Sequence, residues 1–162
     1  MSQTANSAGG LDRLVAVITG SSSGIGRAIA LELASAGADC VVHARHNRDG
    51  AESVAAEIAA TGFKPHVILA DLSEIAEQDR FADEAWRWQG KVDIWVNNAG
   101  ADTLTARAGG WSFEQKLEAL WRLDVVATMR LGRSIGARMK ERGDGVILNM
   151  GWDQADRGMA GD

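Results

Sequence analysis

A chain of 162 residues has room for one domain with an ordinary buried core, and hydrophobic residues at 46% with charged residues at 24% exclude a disordered chain. Its 17 basic and 22 acidic residues give a net charge of −5 with no like-charge block, which argues against nucleic acid or an anionic membrane as partner. The segment Met1 to Gly10 is small and polar and reads as a flexible lead-in, without the basic start and apolar centre of a signal peptide. From Leu11 the pattern alternates. Leu14 to Thr19 has strand length and runs straight into glycines, and Gly24 to Ala36 has helical spacing, with Ile25, Ile29 and Leu33 four apart and Gly37 at the C-terminal cap. Cys40 to Ala44 is a second strand, Ala51 to Ala60 a second helix, and Val67 to Ala70 a third strand, with Pro65 just ahead of it. Ser73 is placed to cap a helix reaching Trp88 and closed by Gly90. A fourth strand, Val92 to Val96, flows into Asn97-Asn98-Ala99-Gly100. A long helix from Ser112 to Glu141 and a fifth strand, Val146 to Asn149, complete the series.

Strands alternating with helices of this length predict βαβ units. The fold class is therefore α/β, a doubly wound Rossmann-type parallel sheet of about five strands with helices on both faces, formed by residues 11–162. Apolar runs fall well short of the roughly 18 residues of a membrane span, so a cytoplasmic protein is expected. The single cysteine, Cys40, excludes an internal disulfide and reads as an inert buried group, and three histidines without ligand spacing give no metal site.

The turn Thr19-Gly20-Ser21-Ser22-Ser23-Gly24-Ile25-Gly26 joins the first strand to the first helix. Gly20 permits the tight turn, Gly24 removes a side chain where backbone would approach a diphosphate, and Gly26 allows close packing of helix and strand. The helix N-terminus presents unpaired N–H groups and partial positive charge to the phosphates, and the serines, Ser22 and Ser23 among them, add hydroxyl donors.

This T-G-x-x-x-G-I-G pattern, together with Asn97-Asn98-Ala99-Gly100 at the end of the fourth strand, resembles the short-chain dehydrogenase/reductase family from about Leu11 to Gly151. The likeness is strongest to 3-oxoacyl-carrier-protein reductases and related carbonyl or hydroxyl oxidoreductases. It implies a dinucleotide cofactor held by Gly20, Ser22, Ser23, Gly24, Ile25 and Gly26, with Asn98, Ala99 and Gly100 bordering it. Asp71 and Leu72 resemble the family's acidic-aliphatic pair at the adenine, although Asp71 is equally suited to starting the next helix. A cation at the end of the second strand favours a 2′-phosphate, and a carboxylate there repels it. The chain reads His43-Ala44-Arg45-His46-Asn47-Arg48 with no acid before Asp49. Arg45, supported by Arg48, is thus the candidate for NADP(H) over NAD(H), against the plainer reading of a solvated basic turn.

The family's catalytic pattern is not matched. Asp124 stands where the helix motif has Asn, and Asn149-Met150-Gly151-Trp152 replaces the usual N-I-S-S, which puts Trp152 at the Ser position. The family's Tyr and Lys would fall beyond Asp162, and the sequence contains no tyrosine. No catalytic residue is therefore assigned, and conventional catalysis by this chain alone is not expected. The resemblance also implies a C-terminally truncated member, with an uncovered sheet edge that a second copy or a partner subunit would cover. Three functions stay open: an oxidoreductase transferring hydride between NADP(H) and a small carbonyl or hydroxyl substrate, a non-catalytic dinucleotide sensor or assembly subunit, and a truncated product without function. Trp86, Trp95, Trp111 and Trp121 read as core, Trp152 as facing the cleft, His43, His46 and His66 as structural or solvated, and the arginines near the end of the long helix as a solvated face.

Overall fold

The computed structural model describes residues 10–104 and 106–151; the expectations for residues 1–9 and for Trp152 lie outside them. The elements in chain order are β1 (Val15–Ile18), α1 (Gly24–Ser35), β2 (Asp39–Ala44), α2 (Arg48–Ala60), β3 (Pro65–Leu69), α3 (Ile75–Gln89) and β4 (Ile94–Asn97). A short 3-10 turn (Ala106–Gly110), α4 (Phe113–Leu120), a π-helical segment (Trp121–Ala127), α5 (Thr128–Arg142) and β5 (Val146–Asn149) follow. All five strands are parallel, in the order β3-β2-β1-β4-β5. Strand order reverses between β1 and β4, and in sheets of this kind ligands lie beyond the strand C-termini at that crevice.

Pleating divides the apolar strands between two layers. Val17, Val41, Ile68 and Trp95 face one way and pack with Phe81 of α3 and Leu131 and Ile135 of α5. Ala16, Ile18, Val42 and Val96 face the other way and pack with Ala30 and Ala34 of α1 and Val54 and Ile58 of α2. β1 and β4 are buried along their whole length, as central parallel strands must be. Among the described residues no helix is long and apolar enough to cross a membrane.

Several boundaries differ from the sequence reading for local reasons. α2 starts at Arg48, because the Asn47 side chain accepts from the Gly50 N–H at 3.1 Å and caps the helix early. β3 begins at Pro65 itself, which is tolerated because β3 is an edge strand and Pro65 its first residue. Ser73 does not cap α3. Its hydroxyl donates to Asp71 Oδ1 at 2.7 Å, and Glu74 occupies the cap position with no side-chain bond. The long helix does start after Ser112, through a reciprocal capping box with Gln115, but seven π-helical residues separate α4 from α5.

The arginines of α5 do more than face water. Arg130 bonds Gln78 Oε1 at 2.9 Å and Asp79 at 3.1 Å, and Arg138 pairs with Asp83 over the Trp86 ring, joining α5 to α3. Arg142 reaches Asp93 at 2.9 Å, ahead of β4. Trp95 is fully buried, but Trp111 and Trp121 are 39% and 55% exposed, so neither belongs to the core. β5 is the opposite edge of the sheet, and Val146, Leu148 and Met150 are 46–52% exposed there.

Candidate functional site

The turn after β1 is shaped by its glycines. Gly20 and Gly24 have φ of +68° and +56°, where L side chains are strained. A Cβ on Gly26 would lie 2.5 Å from the Gly20 carbonyl oxygen and closer still to Asn98 Nδ2, so helix, turn and the segment after β4 meet only because this residue is glycine. A Cβ on Gly24 would meet nothing within 4 Å, which leaves the space above the loop open. Ser23 is extended at the α1 N-cap and makes no side-chain capping bond, and the first turn of α1 carries no acid. The leading amides of α1 thus face the opening uncapped by any side chain, at the positive end of a 12-residue helix. Of the three serines, Ser21 is fully buried, donating to the Ile18 carbonyl at 2.8 Å and accepting from the His43 N–H at 2.9 Å. Only Ser22 and Ser23 remain toward the surface.

Thr19 knits this turn to the one after β4. Its Oγ1 donates to the Val96 carbonyl at 3.3 Å and accepts the N–H groups of Asn98 and Ala99, each at 2.9 Å. The Asn98 carboxamide donates back to the Thr19 carbonyl at 2.8 Å. Asn98 therefore braces the glycine turn with its side chain, while Asn98, Ala99 and Gly100 together line the cleft. Asn97 is buried and bridges β4 to Asn149 of β5 at 2.8 Å.

That cleft has a volume of about 1320 Å³. It is lined from the strand ends by Gly20, His43, Arg45, Asp71, Leu72, Ser73 and Asn98 to Asp102, and from α4 and its neighbouring segments by Trp111, Glu114, Glu118, Arg122 and Leu123. Of the predicted residues, Gly20, Arg45, Asp71, Leu72, Asn98, Ala99 and Gly100 line this crevice, with Arg45 exposed, whereas Ser22, Ser23, Gly24, Ile25 and Gly26 are not among its lining residues. Asp71 forms a tight turn with Ser73 rather than a helix cap. Partial burial pushes its carboxyl up, but the two bonds from Ser73 and the nearby Arg45 and His46 outweigh this and hold it below the usual range.

Asp124 lies in the π-helical segment, half-buried, and its Oδ1 accepts the Ala101 N–H at 2.9 Å. Burial pushes its carboxyl up against that bond. No group of three or more His, Cys, Asp or Glu suited to a metal occurs among the described residues. Cys40 is buried and its thiol is pushed up to about 12, first by burial and then by Asp39, in keeping with an inert side chain.

His43 is the residue the sequence reading undervalued. It is 2% exposed, accepts the Gly20 N–H at Nδ1 (2.9 Å) and engages the Ala70 carbonyl through Nε2 (3.0 Å). Its signal was present: a lone polar side chain in the run Cys40-Val41-Val42-His43-Ala44 of a central strand must be satisfied where it is buried. Trp111 has no such signal, because its place on the cleft wall depends on the entry into α4.

Comparison with known proteins agrees with the geometry. The chain is 35% identical over 143 residues to the 7alpha-hydroxysteroid dehydrogenase of Escherichia coli (strain K12), covering 86% of this chain and 53% of that one. Its structure is similar to a 7 alpha-hydroxysteroid dehydrogenase complexed with NADH and 7-oxo glycochenodeoxycholic acid, with a TM-score of 0.82 and 33% identity over 92% of this chain and 57% of the other. A metagenomic short-chain oxidoreductase in complex with NADP matches with a TM-score of 0.77 and 33% identity, covering 86% of this chain and 62% of that one. The chain thus spans about half the length of such relatives. Residues 14–161 match the short chain dehydrogenase family, nearly the whole sequence, and the chain belongs to that family.

Proposed function

We propose that the cleft binds a nicotinamide dinucleotide, with NADP(H) preferred, and that the whole protein is an oxidoreductase acting between that cofactor and a carbonyl or secondary alcohol. The observation that carries this reading is the glycine turn: a helix N-terminus without a side-chain cap lies under open space at Gly24, beside a glycine whose Cβ would collide with backbone. In this reading the amides of Gly24, Ile25 and Gly26 and the hydroxyls of Ser22 and Ser23 hold the diphosphate. Gly20 permits the turn, Asp71 and Leu72 bound the adenine side, and Asn98, Ala99 and Gly100 border the opposite end. Arg45, exposed at the end of β2 with no acid before Asp49, supports the 2′-phosphate and hence NADP(H). The solved relatives carry both cofactor types, NADH in one and NADP in the other.

The bound cofactor supplies the hydride. The chain's own residues bind and orient it, and with no tyrosine in the sequence the family's usual proton donor is not among them. The likeness to 3-oxoacyl-carrier-protein reductases and the 7-oxo steroid bound to one relative both favour a ketone as the oxidised substrate. Exposed Val146 and Leu148 on β5, and Met150 directly after it, support association of that edge with further polypeptide.

Thermal and calorimetric titration with NADPH and NADH in parallel tests the reading. NADPH at 100 times its dissociation constant should add about 2.7 kcal/mol of stability. Arg45→Glu should erase the preference for NADPH while leaving NADH binding in place. Absence of binding by either dinucleotide rejects the proposal, and an unchanged preference in Arg45→Glu rejects the role of Arg45.

A further inference from the structure

We propose that His43 is a positioning residue, fixing the glycine turn after β1 at a set distance from the adenine-side rim after β3, so that one dinucleotide meets both at once. The inference rests on the dinucleotide reading above and adds a residue that motif comparison does not supply. β1 and β3 are not neighbours, since β2 runs between them. Their C-terminal extensions, Gly20 on one side and Ala70 on the other, are joined through a single imidazole. Nδ1 accepts the Gly20 N–H at 2.9 Å, and Nε2 meets the Ala70 carbonyl at 3.0 Å.

Each partner offers one role only. The Gly20 amide can only donate and the Ala70 carbonyl can only accept, so Nδ1 is bare and Nε2 carries the proton. The neutral Nε2–H tautomer is thereby set by the backbone. Rotation is blocked as well: the ring packs on Phe81 with centroids 4.8 Å apart, and the residue's own N–H and carbonyl are bonded to Ser21, each at 2.9 Å. Ala70 is followed directly by Asp71 and Leu72, and Gly20 opens the turn that leads to Gly24, so displacing the ring would shift both half-sites relative to each other. The Gly20 N–H, engaged by His43, is in turn not one of the amides facing the phosphates.

Three variants separate the two bonds. His43→Asn places a carboxamide near the Nδ1 position and cannot reach Ala70. His43→Gln reaches toward Ala70 and gives up Gly20, and His43→Phe keeps a ring and loses both. Binding of NADP⁺ is measured by calorimetry, and binding of adenosine 2′-monophosphate, which engages the adenine rim alone, by ligand-observed NMR, with far-UV circular dichroism on each variant. Each variant should weaken NADP⁺ by about tenfold or more and the fragment by less than about twofold, because loss of registration penalises only the ligand that spans both halves. Should His43→Phe fail to fold, the Asn and Gln variants carry the comparison. Wild-type NADP⁺ affinity in the folded variants, or an equal loss for both ligands, overturns the positioning role while leaving the dinucleotide reading intact. If the wild-type chain binds neither NADP⁺ nor NADPH, the dinucleotide reading fails and this inference falls with it.

Discussion

The buried imidazole of His43 ties folding stability to pH in a window of its own. Burial lowers its pKa from 6.5 to about 4; the bond to the Ala70 carbonyl and the Asp71 charge act in the opposite direction, and Arg80 of α3 reinforces the burial. Protonation in the folded state would also take the acceptor from the Gly20 N–H. Between about pH 6.5 and 4 the unfolded chain therefore binds a proton that the folded chain refuses, so stability is full above pH 6.5 and falls as the pH drops toward 4. At about 1.4 kcal/mol per pH unit, the gap is worth about 3 kcal/mol, or roughly 6–12 °C in melting temperature for a chain of this size. The depressed carboxylates Asp71 and Asp93 add acid sensitivity of the same sign, but as the pH falls through their folded-state values, below the usual carboxylate range. Asp124, raised by burial, acts in the opposite direction as the pH rises past the ordinary carboxylate value. Urea unfolding at half-unit steps from pH 7.5 to 4, for the wild type and His43→Gln, isolates the effect, since the variant lacks the titrating group. The wild type should lose about 3 kcal/mol more than the variant across this window. Parallel curves would refute the claim that His43 is held neutral.

Three further substitutions have outcomes set by the local geometry. Gly26→Ala places a Cβ 2.5 Å from the Gly20 carbonyl oxygen, where only backbone movement gives relief, and should cost about 1–3 kcal/mol by urea midpoint; Gly24→Ala meets open space, so NADPH affinity should fall while stability changes by about 1–2 kcal/mol from the left-handed φ. Asp93→Asn removes a carboxylate that accepts the Val15 N–H at 2.7 Å and pairs with Lys91 and Arg142, each at 2.9 Å, and should lower stability by about 1–3 kcal/mol at pH 7 while flattening the acid limb below pH 4.

What could be read in advance was what local pattern dictates. The sheet came from short β-branched runs bounded by glycine, and the tight turn after β1 from three glycines whose spacing has a geometric reason. The errors share a cause. Ser73 is a good cap by type, yet Asp71 two residues earlier is a stronger partner for its hydroxyl, so the cap position passed to Glu74. Asn47 ahead of Arg48 is an equally good cap that periodicity alone placed inside a loop. The arginines of α5 look like a solvated face along the helix, and only the approach of α3 makes Asp79 and Asp83 their partners. Trp111 and Trp121 fit an apolar helix face by spacing, but that face borders the cleft and solvent because α4 contributes no buried residue. Long-range pairings such as Gly20 with His43, 23 residues apart, become visible only once β1 and β2 lie side by side.

The two sides of the cleft are therefore built to different standards. The floor is held by buried strands and by Thr19, His43 and Asn98, whose polar atoms bond backbone across segments distant in sequence. The wall rests on α4, whose Phe113 and Leu117 are 73% and 53% exposed, and on a π-helical segment, a rare conformation usually confined to single-turn bulges. Local stability follows buried apolar contact, so the wall reshapes at lower cost than the floor. Ala127 and Leu123 pack on the core from the π-helical segment, and from the same segment Asp124 ties the wall to the stretch after β4 by accepting the Ala101 N–H. An Asn there would both donate and accept; an ionised Asp only accepts, and with Oδ1 engaged by Ala101 its burial favours the protonated form more than a surface carboxyl would. In the proposed reading the dinucleotide thus rests on the side held by buried strands, and Asp124, which stands in the family's catalytic helix position, lies on the other side and accepts the Ala101 N–H.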